Sequence, residues 1–240
     1  MILKGEALYE ALYRAGYGSE GLMVHYKPML AEIRKLKTQQ QQQQQQLQLR
    51  SVLDVGCSHG GGVNALWKMG LNASGVDISQ TAVDMARRSY GEDPRRCIGS
   101  CWQQAPVTRL PFANDSFDAI LSTDVLEHLE PWEVNRAVRE LTRVARNWLF
   151  LKISNRAETI RMNSTIAPIA PIAPRGVGAR DTFAAAVRKR TGHELPPQLH
   201  TTIQPVRWWV DRFATTPFRQ HHRVGLESWA CCGVVLYKDF

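Results

Sequence analysis

From residue 49 onward the chain alternates short apolar runs with amphipathic stretches. The runs at 49–55, 73–77, 117–122 and 148–153 read as strands, with a shorter one near 96–99. Between the first two, Val63, Leu66 and Trp67 share one face of a helix over 62–69 that Gly70 stops. Ser79 caps a helix running to Tyr90, closed by Gly91. Glu130-Pro131 opens a third helix with Val134, Ala137, Val138, Leu141, Val144 and Ala145 on its buried side. A helix at 205–213 and strands near 218–224 and 230–237 follow. This alternation predicts an α/β fold, an open parallel sheet with helices on both faces.

The flanking patterns differ. Residues 5–37 read as helical: Tyr9, Tyr13 and Tyr17 recur every four positions beside Leu8 and Leu12. Gly16, Gly18 and Gly21 break the pattern, and a second helix runs over 29–36. An uninterrupted glutamine run at 39–46, with Gln48 after it, reads as a flexible tether. Residues 155–200 carry Ile166-Ala167-Pro168 three times over, a proline period that neither helix nor central strand accepts. The expected organisation is therefore a helical cap (1–38), a poly-Gln linker (39–48) and one main domain (49–240). That domain carries a partly disordered insertion at 155–200, with a short helix at 182–190.

Composition narrows the class. With 44% apolar and 22% charged residues in 240, a real core forms and wholesale disorder is excluded. No apolar run reaches the roughly 18–20 residues of a membrane span. The first residues show no signal-peptide core. Cysteines 57, 97, 101, 231 and 232 form no even framework, and Cys231 and Cys232 are neighbours on one strand, facing opposite ways. A reducing, cytoplasmic setting is expected. The net charge of +8 is concentrated: residues 136–190 hold twelve Lys/Arg against three acids. Such a segment is either a solvated helix face with a charged loop or a surface for RNA or an acidic partner.

The chemistry sits where the first strand turns into the first helix, at Asp54-Val55-Gly56-Cys57-Ser58-His59-Gly60-Gly61-Gly62. Glycines there permit a tight turn and close approach of the backbone to a ligand. The free N–H groups of the following helix suit a carboxylate. Asp77, 21 residues after Gly56 at the tip of the second strand, can accept from both hydroxyls of a ribose. Together these features predict a nucleoside-ligand site. Ser58 stands where a dinucleotide site needs its second glycine, which disfavours a pyrophosphate.

Here the sequence closely resembles the class I S-adenosylmethionine-dependent methyltransferases of the type 11 group. Residues 52–60 look like that family's first motif, and Gly75-Val76-Asp77-Ile78-Ser79 looks like its ribose-binding acidic loop. Leu110-Pro111-Phe112 with Phe117-Asp118, then Asp124-Val125-Leu126-Glu127-His128, looks like its fourth-strand segment. The resemblance spans about 49–153, with 205–240 fitting the final helix and strand pair. It implies a Rossmann-like seven-stranded sheet of order 3-2-1-4-5-7-6 with the last strand antiparallel, and S-adenosyl-L-methionine as cofactor. Gly56, Cys57 and Gly60 would meet its methionine part through backbone, with Asp54 addressing the ammonium. Asp77 would hold the ribose, Ile78 would pack on adenine, and Thr123 would line the sulfonium region. The family's acidic residue before Leu-Pro-Phe is missing here, leaving Gln104 and Ala105 for the adenine amino group.

Methyl transfer from a sulfonium needs alignment, and a base only when the acceptor carries a proton. His128 and His200 are the candidates. Asp124, Glu127 and His128 also form a D-x-x-E-H set with the donors for a divalent ion, but the string is widespread in metal-free relatives and no metal is expected. Trp208-Trp209 offers an aromatic platform with one ring in the core and one on the rim, and Tyr17 and His25 sit where the helical cap would close over the cofactor. No Asn/Asp-Pro-Pro-aromatic motif follows the fourth strand, so a small-molecule acceptor O or N atom is favoured. The alternatives are RNA or protein methylation through 136–190, a non-catalytic binding protein, and a serine hydrolase using Ser58 in Gly56-Cys57-Ser58-His59-Gly60 as a G-x-S-x-G elbow.

Overall fold

The apolar runs become β1 (Ser51–Val55), β2 (Asn72–Asp77), β3 (Trp102–Gln104), β4 (Phe117–Thr123) and β5 (Ala145–Ser154), followed by β6 (Phe218–Val224) and β7 (Cys231–Lys238). They form one sheet of order β3-β2-β1-β4-β5-β7-β6, in which β7 alone runs antiparallel to its neighbours. This is the arrangement the resemblance implied. The computed structural model describes residues 2–17, 23–43, 48–155, 183–196, 199–224 and 231–239. The Ile-Ala-Pro repeat and most of the expected insertion lie outside the described residues.

Helices cover both faces. On one side α5 (Val134–Val144) and α7 (Val206–Phe213) bury Val138, Leu141, Trp209 and Phe213 against Leu53, Ile120 and Leu149. On the other, α2 (Met23–Gln42), α3 (Gly61–Lys68) and α4 (Gln80–Tyr90) bury Met29, Ile33, Leu66 and Val83 against Val52, Leu121 and Phe150. Ser79 caps α4 as the sequence predicts, accepting from the Ala82 amide at 3.2 Å. The outer helices are α1 (Gly5–Arg14) and α6 (Phe183–Thr191).

Three local expectations change. The third strand begins at Trp102, not near residue 96. Pro94 opens a single 3-10 turn, and a disulfide between Cys97 and Cys101 closes the bend after it, so a ladder with β2 starts only where Trp102 faces Gly75. That disulfide also corrects the reading of the cysteines as unpaired; Cys57 is free and buried. Thirdly, α2 runs on through Gln42. Glutamine is a good helix former, and Gln40 is buried with its Oε1 accepting from the Leu49 amide at 2.8 Å.

Two parts of the motif prove to be structural. Asp118 ties the start of β4 to β1, accepting from the amides of Arg50 and Ser51 at 2.9 and 3.0 Å. The Leu110–Phe112 stretch is pinned by α5: Glu140 accepts from the Leu110 amide at 2.7 Å, and Arg143 donates to the Leu110 and Phe112 carbonyls.

The N-terminal helix docks through one carboxylate. Glu10 of α1 accepts from the Ser79 and Thr81 hydroxyls (2.7 and 2.6 Å) and the Thr81 amide (3.1 Å), at the N-terminus of α4. Burial pushes its pKa up, but these donors and Arg14 outweigh it and hold it at about 2. A carboxylate held below its ordinary 4.5 stabilises the fold above that pH, and the benefit is lost as pH falls toward about 2. Glu10→Gln should therefore cost about 1 kcal/mol at neutral pH, the usual worth of a helix cap. Urea melts of both proteins should converge as the pH is lowered through that window.

Candidate active site

The first four strands end together on one edge, and the strand order reverses between β1 and β4. An open α/β sheet places ligands at such a reversal. A cleft of roughly 1010 Å³, open mouth included, lies there. Gly56, Ser58, Asp77, Ile78, Thr123 and His128 line it from the sheet side. Tyr9, Tyr13, Tyr17, His25 and Tyr26 line it from the N-terminal segment.

The turn after β1 is tight. Gly56 has φ +80°, and a Cβ there would fall 2.2 Å from Val125 Cγ2, so only glycine fits. The amides of Gly56 and Cys57 both donate to the Val76 carbonyl (2.8 and 2.9 Å), and the Gly60 amide donates to Cys57. Cys57 is buried away from the cleft. The missing side chain of Gly60 makes room for Trp102, whose ring would lie 2.7 Å from a Cβ. What the turn presents to the cleft is the Gly56 backbone and the region leading to the free amides that begin α3.

Two acids flank this turn. Asp77 accepts from the Ser58 amide (2.9 Å) and the Ser79 amide (3.0 Å), with the Tyr13 hydroxyl also donating to it. Burial outweighs these donors and raises it to about 6. Asp54 is fully buried behind the cleft, with Oδ1 3.4 Å from the Tyr26 hydroxyl and Oδ2 unpartnered. Burial pushes it up to about 8, opposed by the Tyr26 hydrogen bond and aided by the Asp77 charge.

On the far side, Thr123 ends β4 with its hydroxyl buried and unpartnered. Asp124 follows at φ +53° and is ion-paired through both oxygens to Lys152, a buried amine of β5. His25 Nδ1 lies 2.7 Å from Asp124 Oδ2. Burial of Asp124 is outweighed by His25 and Lys152, which hold it below the usual carboxylate range. Glu127, three residues on, has no lysine, only the weaker pull of His200. Burial and the Asp124 charge raise it to about 8. His128 borders the cleft, and His200 packs behind it with ring centroids 4.6 Å apart.

Residues 53–148 match the methyltransferase-domain family. A probable S-adenosylmethionine-dependent methyltransferase of Mycobacterium tuberculosis is 32% identical over 130 residues, covering 54% of this chain and 44% of the relative. The ubiquinone biosynthesis O-methyltransferase of Nitrosococcus oceani is 29% identical over 124 residues, 51% of this chain and 50% of the relative. The chain thus spans about half the length of these curated relatives, or less. Among solved structures, magnesium protoporphyrin IX methyltransferase from Synechocystis PCC 6803 superposes with a TM-score of 0.57 at 15% identity, over 96% of this chain and 94% of that one.

Residues 53–148 thus resemble a methyltransferase domain, and the chain shares the fold of the Synechocystis enzyme. Within this domain the structure brings Gly56, Asp77, Ile78, Thr123 and His128 onto one cleft, with Asp54, Cys57, Gly60 and His200 packed behind its wall. Tyr17 and His25, for which ordinary helix packing was the favoured reading, border it. Ala105 lines it, whereas the Gln104 amide donates to Glu6 and to the Ile78 carbonyl. Trp208 and Trp209 lie outside it: Trp209 is core, and Arg212 stacks on Trp208. Sequence reasoning missed Tyr13, Tyr26 and Lys152. The four-residue tyrosine spacing was the available signal for Tyr13; a buried lysine in a strand gives none.

The raised pKa of Asp54 has a direct consequence. A carboxyl whose folded value exceeds its ordinary 3.8 binds its proton more tightly when folded, so stability falls as pH rises from there to about 8. Asp54→Asn keeps an acceptor for Tyr26 and removes the titration. Unfolding free energies by urea should decline across pH 5–8 in the wild type and decline less steeply in the variant, where Asp77 and Glu127 still titrate.

Proposed function

We propose that this chain binds S-adenosyl-L-methionine in the cleft and transfers its methyl group to a small-molecule acceptor, at oxygen or nitrogen. The observation that carries the reading is Asp77, a carboxylate at the end of β2 that faces the cleft beside the glycine turn. The surrounding residues fit the cofactor. Ile78, Ala105 and Val107 give an apolar wall for a purine. The buried Thr123 hydroxyl, without a partner in the fold, is a polar group a ligand would satisfy. Asp54, behind the amino-acid end, has an unpartnered Oδ2 that a bound ammonium would draw into the charged form. The cofactor, when bound, brings a methyl group already activated on sulfonium.

The chain's own residues then bind, orient and exclude water. Tyr9, Tyr13 and Tyr17 roof the cleft, and Tyr26 donates to Asp54 and to the Gly56 carbonyl. His128, backed by His200, is the group on the acceptor side with a lone pair or proton to offer. A small acceptor agrees with relatives such as the O-methyltransferase of ubiquinone biosynthesis.

Two other readings lose support. Of the basic 136–190 segment, Arg143, Arg146 and Lys152 are already paired with Glu140, Asp118 and Asp124, so these three cations are committed within the fold. The side chain facing Ser58 Oγ is the Tyr13 hydroxyl, held protonated by burial, which is no base for a hydrolase nucleophile. No helix among the described residues is long and apolar enough to cross a membrane.

Asp77→Ala should weaken adenosylhomocysteine binding by about 10- to 150-fold, roughly 1.5–3 kcal/mol for the loss of hydrogen bonds to a charged acceptor. Calorimetry measures it, and an unchanged dissociation constant would remove Asp77 from the cofactor site.

A further inference from the structure

The N-terminal segment contributes more than a roof. His25, near the start of α2, borders the cleft, and its Nδ1 lies 2.7 Å from Asp124 Oδ2. We propose that His25 is the base that takes the proton of a phenolic acceptor, with Asp124 behind it as the positioning carboxylate. The inference rests on the methyltransferase reading and moves the proton-accepting role from His128 to His25.

The pair is held from several sides. Asp124 follows Thr123 at the end of β4, and its amide donates to the Lys152 carbonyl at 2.9 Å. Both of its carboxylate oxygens accept from the Lys152 amine. Tyr26, the next residue of α2, reaches the Gly56 carbonyl (3.3 Å) and Asp54 (3.4 Å), which ties the first turn of that helix to the glycine bend. His25 is thereby set against the end of β4, beside the Thr123 that the methyltransferase reading puts near the sulfonium.

The contacts also settle which nitrogen is available. Nδ1 approaches a carboxylate oxygen more closely than it approaches Lys152 Nζ, at 3.2 Å. A carboxylate only accepts, so Nδ1 carries the proton and Nε2 keeps its lone pair. Among the described residues Nδ1 makes all the polar contacts of this ring, and 45% of the side chain is exposed, which leaves Nε2 for the cleft. His128 differs: the group beside its Nδ1 is the neutral Leu199 carbonyl, at 3.2 Å. A carboxylate stabilises an imidazolium as it forms better than a carbonyl does.

The surroundings select the acceptor. Lys152 offsets the Asp124 charge, so this wall has no net charge to draw an ammonium. Tyr9, Tyr17, Val125 and Leu129 offer apolar and aromatic surface that suits a ring. A phenol, with the acidity of a tyrosine at a pKa of about 10, is within reach of an imidazole base. As the phenolic oxygen bonds to the methyl carbon, its proton passes to Nε2, and the electron pair of the broken carbon–sulfur bond stays on sulfur. The half-exposed imidazolium then gives its proton to water.

Two measurements test the assignment. In the cofactor-free full chain, long-range proton–nitrogen correlation NMR should show the Nδ1–H form for the neutral imidazole whose signals vanish in His25→Gln; the Nε2–H form overturns the proposal. The second is methyl transfer to phenol and to p-nitrophenol, at a pH where only the latter is already ionised. In His25→Gln, kcat/KM for phenol should fall by about 100-fold or more and for p-nitrophenol by less than about threefold, because the latter arrives with no proton to lose. Equal losses, no loss for phenol, or no transfer to either phenol overturns His25 as the base. Asp124→Asn, which offers an amide N–H to Nδ1, should raise the Nε2–H form and slow phenol selectively; an unchanged tautomer and rate would remove Asp124 from its positioning role. Adenosylhomocysteine calorimetry keeps the two readings apart. Its affinity should stay within about twofold in His25→Gln, and a larger loss would put His25 on the cofactor instead of the acceptor. A wild-type chain that fails to bind it sinks the cofactor reading itself.

Discussion

Three carboxyl groups are held out of water along one edge of the sheet with no lysine or arginine paired to them, and the site is organised around them. Asp54 lies in β1, Asp77 ends β2 and Glu127 follows β4. Burial raises them to about 8, 6 and 8 respectively. Each upward shift is free energy the folded chain forgoes at neutral pH, at about 1.4 kcal/mol per unit. Buried acids placed for stability alone would carry their own cations. Asp124 does, through Lys152 and His25, and its pKa falls. The contrast between Asp124 and Glu127, three residues apart, separates a carboxylate the fold has given a lysine from one with only the weaker pull of His200.

What could be read from sequence followed a clear physical line. Strands and helices whose faces alternate between core and solvent announce themselves, so the sheet and the buried face of α5 were legible. Strand-end residues were legible too, because chemistry at this edge comes from the carboxyl ends of strands: Asp77, Thr123 and His128 all border the cleft. The third strand was misplaced because the apolar run at 96–99 carries no trace of the bend that Cys97 and Cys101 close. The length of α2 was hidden for the opposite reason. A glutamine run has no periodicity, yet it forms helix readily, and one buried side chain fixes its end.

Contacts between distant segments were the part sequence could not supply. His128 and His200 were separate candidates for one role; threonine hydroxyls and amides join them into one cluster. Gly60 was read as a backbone contact to the ligand; packing adds a second demand for glycine there, since Trp102 fills the space of a side chain. Tyr13 and Tyr26 reach the two acids from helices that precede the family's matched region. The N-terminal segment is therefore part of the cleft's electrostatics as well as its roof.

The same charges also shape the backbone. Ser58 and Asp124 adopt φ of +49° and +53°, left-handed conformations that cost a non-glycine residue energy. They lie just past the ends of β1 and β4, neighbouring strands whose chains must bend sharply apart for a cleft to open. Each is secured by a buried ionic group: the Ser58 amide by Asp77, and the Asp124 carboxylate by Lys152. Removing either anchor would relax the turn as well as change the charge. Ligand binding and folding stability are therefore coupled at these positions. A variant that alters both reports the bend, and one that alters binding alone reports the charge.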